Sequence, residues 1–239
     1  MRTIGIIPAR YQSTRFPGKP LINILGKSMI QRVYEQSKKS DLDQVIVATD
    51  DERIFDTVQS FKGQVMMTST QHISGTDRCM EVLDNLNSKY EVVVNIQGDE
   101  PFVDPEQINT LIHAFRESQT QIATLAKLIE NAEDLKNPNK PKVSFDENYM
   151  ATSFDRVVDT NFFPNNFYKH IGLYAYRPEV LKNICTLEPS VIELSQKLEQ
   201  WRWLENGYNI KVERSTKDAF SVDTPDDLKK IIERFGDTY

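Results

Sequence analysis

Two cysteines, three histidines and nine glycines are all that 239 residues hold of those types, and each scarcity excludes something. Cys79 and Cys185 form no C-x-x-C pair, so neither a disulfide framework nor a thiolate zinc site is expected, and both read as small buried apolar side chains. Few glycines also mean no glycine-rich phosphate cradle: Gly18-Lys19 is followed by Pro20, which breaks a Walker A pattern, and no G-x-G-x-x-G is present. Long apolar runs are missing. The apolar stretch of "MRTIGIIPAR" is too short for a signal peptide and nothing approaches a membrane span, so the cytoplasm is the expected location. Positive charge is in deficit as well, and a net charge of −6 argues against nucleic acid as a partner.

What the chain does have is a core's worth of apolar residues, 39%, beside 27% charged ones, which suits a large α/β domain with a well-solvated surface. Near-continuous apolar runs, "TIGIIPA", "QVIVATD", "QVMMTS" and "YEVVVNIQGDEP", alternate with helical patterns over the first hundred residues. Such runs are expected of parallel strands covered by helices on both faces. Ser28 reads as the N-cap of a helix using Met29, Ile30, Val33 and Tyr34; later helices use Ile54, Phe55, Val58 and Phe61, then Cys79, Val82, Leu83 and Leu86. Asp104-Pro105 and Thr224-Pro225 are cap-plus-first-turn signals. "QIATLAKLI", "KHIGLYAYR" and "YNIKVE" read as strands, and "PKVSF" with "YMATSF" as a hairpin around Asp146-Glu147-Asn148. A long helix is expected from about Val191 to Asn206, closed by Gly207. With no repeat, low-complexity tract or linker, residues 1–239 read as a single domain.

In a parallel sheet, ligands bind beyond the carboxyl ends of the strands. Pro8, Ala9 and Arg10, Thr49 and Asp50, Thr68 and Ser69, and Gln97 to Asp99 occupy those ends, so they face one crevice. The loop "GIIPARYQSTRFPGKP" places Arg10, Arg15 and Lys19 there with no acid among them. Arginine offers a planar fork to phosphate oxygens and lysine a point charge. At ~4 Å and an effective dielectric of about 20, each such contact is worth about 4 kcal/mol before desolvation. A small polyanion explains a basic loop in an acidic chain better than a solvated turn does. In "SGTDR", the small residues suit close approach to a ligand, while Thr76 or Asp77 would serve equally as a helix cap.

These residues carry a family resemblance. "IIPARYQSTRFPGKPL", "VATDDERI", "SGTDRCMEV", "VVVNIQGDEPF", "HIGLYAYR", "LEQWRWLENG" and "VDTPDDL" resemble, in order and over nearly the whole chain, the motifs of the 3-deoxy-manno-octulosonate cytidylyltransferases. The resemblance implies an α/β, nucleotide-diphospho-sugar transferase-like (Rossmann-like) three-layer fold with a mixed, mainly parallel central sheet. It implies transfer of CMP from CTP to a 3-deoxy-ulosonic acid for lipopolysaccharide synthesis, Mg²⁺ dependence and a homodimer, with a dimerisation or sugar-side portion around residues 140–205.

By the same resemblance, Arg10, Arg15 and Lys19 are catalytic, and Asp99 and Asp223 are the metal ligands, a pair that spacing alone would never join. Pro8, Ala9, Arg10, Thr49, Asp50, Ser74, Gly75, Thr76 and Arg78 line the nucleotide. Gln97, Arg156, His170, Tyr174, Glu199 and Gln200 face the sugar. Residue types alone leave other readings open: a cap for Asp223, a structural histidine for His170, and a core or dimer stripe for Val191, Leu194, Leu198 and Trp201. Similar family members carry Y-F-S-R-x-x-I-P after the hairpin, where this chain has "TSFDRVVDTNFFPNN"; Asp155 replaces the serine and the Ile-Pro is absent. Rival readings are activation of another sugar acid or a sugar phosphate, glycosyl transfer, whose D-x-D signature does not end the fourth strand, and a non-catalytic nucleotide-binding module in which the altered Arg156 segment has cost sugar binding.

Overall fold

The computed structural model describes residues 1–12, 16–158 and 166–236. Arg15 and most of the "TNFFPNN" stretch lie outside the described residues. The chain divides into two compact units, residues 1–109 with 219–239, and residues 110–218.

The first unit is built on the four apolar runs. β1 (Thr3–Ala9) is followed by a small hairpin of β2 (Asn23–Ile24) and β3 (Lys27–Ser28), then α1 (Met29–Ser37), β4 (Gln44–Thr49), α2 (Glu52–Ser60), β5 (Val65–Met67), α3 (Gly75–Asn85) and β6 (Val92–Asn95). The long strands pair in parallel in the order β6-β1-β4-β5. The edge strand β5 is only part-buried and exposes Met67, whereas in β1, β4 and β6 the side chains are buried on both faces, with Ile4, Ile6, Ile7, Val47 and Val93 sealed from solvent. This is why they read as continuous apolar runs. The strand order reverses beside β1, so the carboxyl ends of β1, β4 and β6 open a crevice of the kind doubly wound sheets use for ligands.

Local caps start the helices. Ser28 accepts the Gln31 N–H, and Asp51 accepts the Arg53 N–H. For α3 the cap is Ser74, reciprocated by Asp77 in a capping box, so neither Thr76 nor Asp77 is the cap. Thr76 is instead buried on the helix's inner side. The C-terminal helix Pro225–Phe235 begins with a second capping box, Thr224 with Asp227, and Pro225 in its first turn. It packs Ile231 and Leu228 against Ile24, Met29, Phe102 and Val222.

α4 (Pro105–Ala114) carries the chain out of this unit, its first turn stabilised by the Glu106 N–H donating to the Asp104 carboxylate. The second unit contains β7 (Ile122–Leu128), α5 (Ala132–Lys136), the antiparallel hairpin β8 (Lys142–Phe145) and β9 (Ala151–Asp155), then β10 (Tyr168–Tyr176), α6 (Pro178–Ile184), α7 (Val191–Gln196), α8 (Gln200–Glu205) and β11 (Ile210–Arg214). β7 pairs antiparallel with β10 and parallel with β11, so this sheet is mixed. The Asp146 carboxylate closes the β8–β9 turn by accepting the N–H groups of Asn148 and Met150.

The expected helix over Val191–Asn206 is two helices. Lys197 adopts a left-handed conformation (φ 55°, ψ 47°) and ends α7. The carbonyls of Gln196 and Lys197 accept hydrogen bonds from the Arg156 guanidinium at 2.6 and 3.0 Å. A distant side chain thus satisfies carbonyls that a continuing helix would have used internally. The apolar stripe breaks with it: Leu198 is buried, whereas Val191 and Leu194 are 84% and 66% exposed. α5 and α6 add to the expected elements, and their local signals are Asn131 as a cap and Pro178 at the first turn.

Candidate active site

The first unit gathers the nucleotide-side candidates at the strand ends. A cavity of about 540 Å³ is lined by Arg10, Tyr11, Gln12, Asp50, Asp51 and Thr70, beyond the carboxyl ends of β1 and β4. Arg10 is exposed and its guanidinium approaches the His72 carbonyl at 3.5 Å. Asp50 is held from below by Arg78, which is 1% exposed and donates to its carboxylate at 2.7 Å. Arg78 also donates to the Thr68 hydroxyl. Arg78 therefore serves as a scaffold cation between α3 and the end of β4. Sequence reasoning misses Tyr11, Gln12, Asp51 and Thr70, although each lies in or beside a motif quoted above.

The centre of the site is a lysine between two acids. Gly18 precedes it in the left-handed region (φ 71°) and opens a single 3₁₀ turn, Lys19–Leu21. The Lys19 ammonium donates to Asp99 at 2.7 Å and to Asp223 at 3.2 Å. Both acids owe their positions to backbone contacts. A Cβ on Gly98 would come within 2.6 Å of the Pro8 carbonyl, so only glycine lets the chain after β6 pass the end of β1 before presenting Asp99. The Val222 N–H donates to the Asp99 carbonyl at 2.9 Å, and buried Val222 anchors the segment leading to Asp223. Two carboxylates remote in sequence thus meet one cation.

The donor set fits a hard divalent cation. Among the described residues, no group of three or more His, Cys, Asp or Glu side chains could hold a metal by itself. Mg²⁺ does not need one: it commonly takes one or two carboxylates, with phosphate oxygens and waters completing six oxygens. Two carboxylates against one ammonium leave an excess of one negative charge at this point, which favours a cation there.

The second unit assembles four of the six sugar-side candidates. His170 and Tyr174 lie on β10, their rings 5.4 Å apart, and both are buried. The Tyr174 hydroxyl accepts a hydrogen bond from Gln200, and burial, together with the Glu199 charge, raises its pKa well above the ordinary tyrosine value. β10 bulges between Ile171 and Tyr174, and the Thr124 hydroxyl reaches both the Leu173 carbonyl and His170 Nε2 at 2.9 Å. The Thr124 hydroxyl thus ties the His170 ring to the bulged backbone of β10. Gln97 lies in the first unit after β6, its carbonyl accepting the Glu100 N–H.

Burial lowers the pKa of His170 to about 3, so the ring is neutral at every physiological pH. The unfolded chain binds a proton at this residue between roughly pH 6.5 and 3 while the folded chain does not. Stability from this source is therefore complete above pH 6.5 and declines as pH falls through that window. Urea unfolding at pH 7, 5 and 4 should show the decline in the parent chain and a shallower one in His170→Gln. Equal slopes would mean that His170 is not held neutral.

Arg156 is committed to the backbone. Besides Gln196 and Lys197, its guanidinium donates to the Pro138 carbonyl at 3.1 Å. Arg156→Ala should lower the unfolding free energy by about 0.5–1.5 kcal/mol through the lost guanidinium–carbonyl hydrogen bonds. Arg156→Lys should recover only part, because an ammonium cannot reproduce the fork. An unchanged urea midpoint together with a raised KM for the sugar would instead make Arg156 a sugar contact.

A cytidylyltransferase sequence profile matches residues 4–215. A 3-deoxy-manno-octulosonate cytidylyltransferase of Parabacteroides distasonis is 53% identical over 97% of both chains. One of Bacteroides thetaiotaomicron is 51% identical over 96% of both. Among solved structures, a CMP:2-keto-3-deoxy-manno-octonic acid synthetase complexed with CTP superposes with a TM-score of 0.93 at 37% identity, covering all of both chains.

Proposed function

Because this chain belongs to the 3-deoxy-manno-octulosonate cytidylyltransferase family, we propose that it transfers CMP from CTP to 3-deoxy-manno-octulosonate (KDO), with the residues at the carboxyl ends of β1, β4 and β6 holding the nucleotide. It is a nucleotidyltransferase. The oxygen of the anomeric hydroxyl bonds to the α-phosphorus, the bond from that phosphorus to the bridging oxygen breaks, and pyrophosphate leaves with the electron pair. The hydroxyl proton passes to solvent. The product is CMP-KDO, a sugar nucleotide for lipopolysaccharide synthesis.

Catalysis in such a transfer is mainly positioning and charge neutralisation. Arg10, Arg15 and Lys19 hold the β- and γ-phosphates, and Lys19 stabilises the charge that develops on pyrophosphate as it departs. Pro8, Asp50, Ser74 and Gly75 line the nucleoside, with the buried Ala9, Thr49, Thr76 and Arg78 supporting them from beneath. Asp99 and Asp223 would hold Mg²⁺, which when bound supplies charge neutralisation at the phosphates and the attacking oxygen. On the sugar side, Gln97, His170, Tyr174, Glu199 and Gln200 provide neutral and anionic hydrogen-bonding groups. The neutral His170 ring carries one donor and one acceptor nitrogen, hydrogen-bonding capacity suited to a sugar hydroxyl. Homodimerisation and a cytoplasmic setting belong to the same proposal, the exposed Val191 and Leu194 supporting self-association. No helix among the described residues is long and apolar enough to cross a membrane.

The observation that carries this reading is the meeting of Lys19 with Asp99 and Asp223. It joins the basic loop to two acids that nothing local would bring together. The test is mass-spectrometric detection of the CMP-sugar formed from CTP, Mg²⁺ and a panel of acceptors: KDO, its amino-substituted forms, a sialic acid and a hexose-1-phosphate. CMP-KDO as the dominant product is expected. Binding of CTP with no CMP-sugar from any ulosonic acid would overturn the reading, and a different preferred acceptor would reassign the sugar.

A further inference from the structure

The Tyr11 side chain sits where the basic loop closes on itself. The Tyr11 backbone carbonyl accepts the Gly18 N–H at 2.9 Å, and a Cβ on Gly18 would lie 3.2 Å from the phenol ring. The ring is therefore packed against the residue that immediately precedes Lys19. On the ring, the Arg53 guanidinium carbon stands 3.3 Å from the centroid. That guanidinium is in turn forked onto Asp51, Nε to Oδ1 at 2.9 Å and a terminal nitrogen to Oδ2 at 2.6 Å. Asp51 cannot drift, because the same carboxylate caps α2 by accepting the Arg53 N–H at 3.0 Å. A continuous series of contacts runs from the start of α2 through Asp51, Arg53, Tyr11 and Gly18 to Lys19.

We propose that Tyr11 is a positioning residue for CTP: its ring, clamped between Gly18 and the Arg53–Asp51 pair, sets the basic loop so that Arg10 and Lys19 meet the triphosphate. This inference rests on the CTP reading above and extends it to residues that do no chemistry. An isolated surface ion pair contributes little. This one is bidentate, fixed at one end by a helix cap and stacked at the other on an aromatic face, which favours guanidinium over ammonium. The clamp works through the ring rather than the hydroxyl. It also accounts for glycine at position 18 on two counts: a positive φ of 71° and the tight approach of the ring.

The test measures pyrophosphate release with CTP varied at saturating KDO and Mg²⁺, and then with KDO varied, for the parent chain, Tyr11→Phe, Tyr11→Leu, Arg53→Ala and the Tyr11→Leu/Arg53→Ala double variant. Tyr11→Phe should stay within about twofold of the parent in every parameter. Tyr11→Leu should raise the KM for CTP about tenfold and Arg53→Ala about three- to tenfold, from loss of a cation–π contact and of loop order. The double variant should be no worse than Tyr11→Leu alone, since both changes open one clamp. The KM for KDO should not move. General destabilisation would lower the active fraction, and with it kcat, and leave the KM for CTP unchanged; thermal melts identify that case for Tyr11→Leu, and exposed Arg53 then carries the decision.

An unchanged KM for CTP in Arg53→Ala and Tyr11→Leu would overturn the proposal. So would Tyr11→Phe being as impaired as Tyr11→Leu, or a double variant showing the product of the two single effects. A parent chain that makes no CMP-KDO would overturn the underlying reading instead, so the two failures are distinguishable.

Discussion

Lys19→Ala is expected to lower the rate of pyrophosphate release by about 10²–10³-fold, the usual loss when one group facing developing charge is removed. The fold should persist, because Lys19 lies in a single 3₁₀ turn and is not among the buried apolar residues that form the core. What changes is the charge at the seat. The ammonium at 2.7 and 3.2 Å from the acids no longer separates Asp99 from Asp223. Metal affinity should therefore hold or rise while turnover collapses. Stopped-flow pyrophosphate release, together with Mn²⁺ binding followed by electron paramagnetic resonance, separates the two effects. Undiminished release would remove Lys19 from the chemistry and leave it a spacer between two carboxylates.

Asp99→Asn should do the reverse on the metal side. The carbonyl of residue 99 would still accept the Val222 N–H, so the backbone link to the Asp223 segment survives the substitution. The lost negative charge takes away half of the carboxylate pair, and metal-dependent turnover should fall by about 10³-fold, several kcal/mol of transition-state stabilisation. Mn²⁺ affinity should weaken in the same variant, in contrast to Lys19→Ala. A thermal melt should show the fold retained. A fully active Asn variant would show that Asp99 is no metal ligand.

Much of the first unit is legible in the sequence because its determinants are local. A parallel strand buried on both faces has to be apolar along its length, and β1 matches "TIGIIPA" end to end. Ser28 and Thr224 are caps whose partners lie three residues on, and the β8–β9 turn of the second unit is organised by Asp146 within four residues. What sequence spacing misses are features held by remote side chains. Nothing near Lys197 says that a helix must stop there; Arg156, just past the end of β9, takes up the carbonyls. Asp99 and Asp223 come together in the sequence only through a family resemblance. In the structure, the reasons are the Val222–Asp99 hydrogen bond and the packing of Val222 and Ile231 with Ile24, Met29 and Phe102. The stack of Arg53 on Tyr11 belongs to the same class: a basic loop and a helix start, separate in the sequence, touch through side chains.

The most direct measurement is an anomalous difference map from a crystal soaked with CTP and Mn²⁺. The account predicts one manganese peak within coordinating distance of carboxylate oxygens of both Asp99 and Asp223, with the triphosphate beside it and Arg10 and Lys19 turned toward the phosphates. A manganese peak elsewhere, or a bound triphosphate reached by neither of those cations, would contradict it.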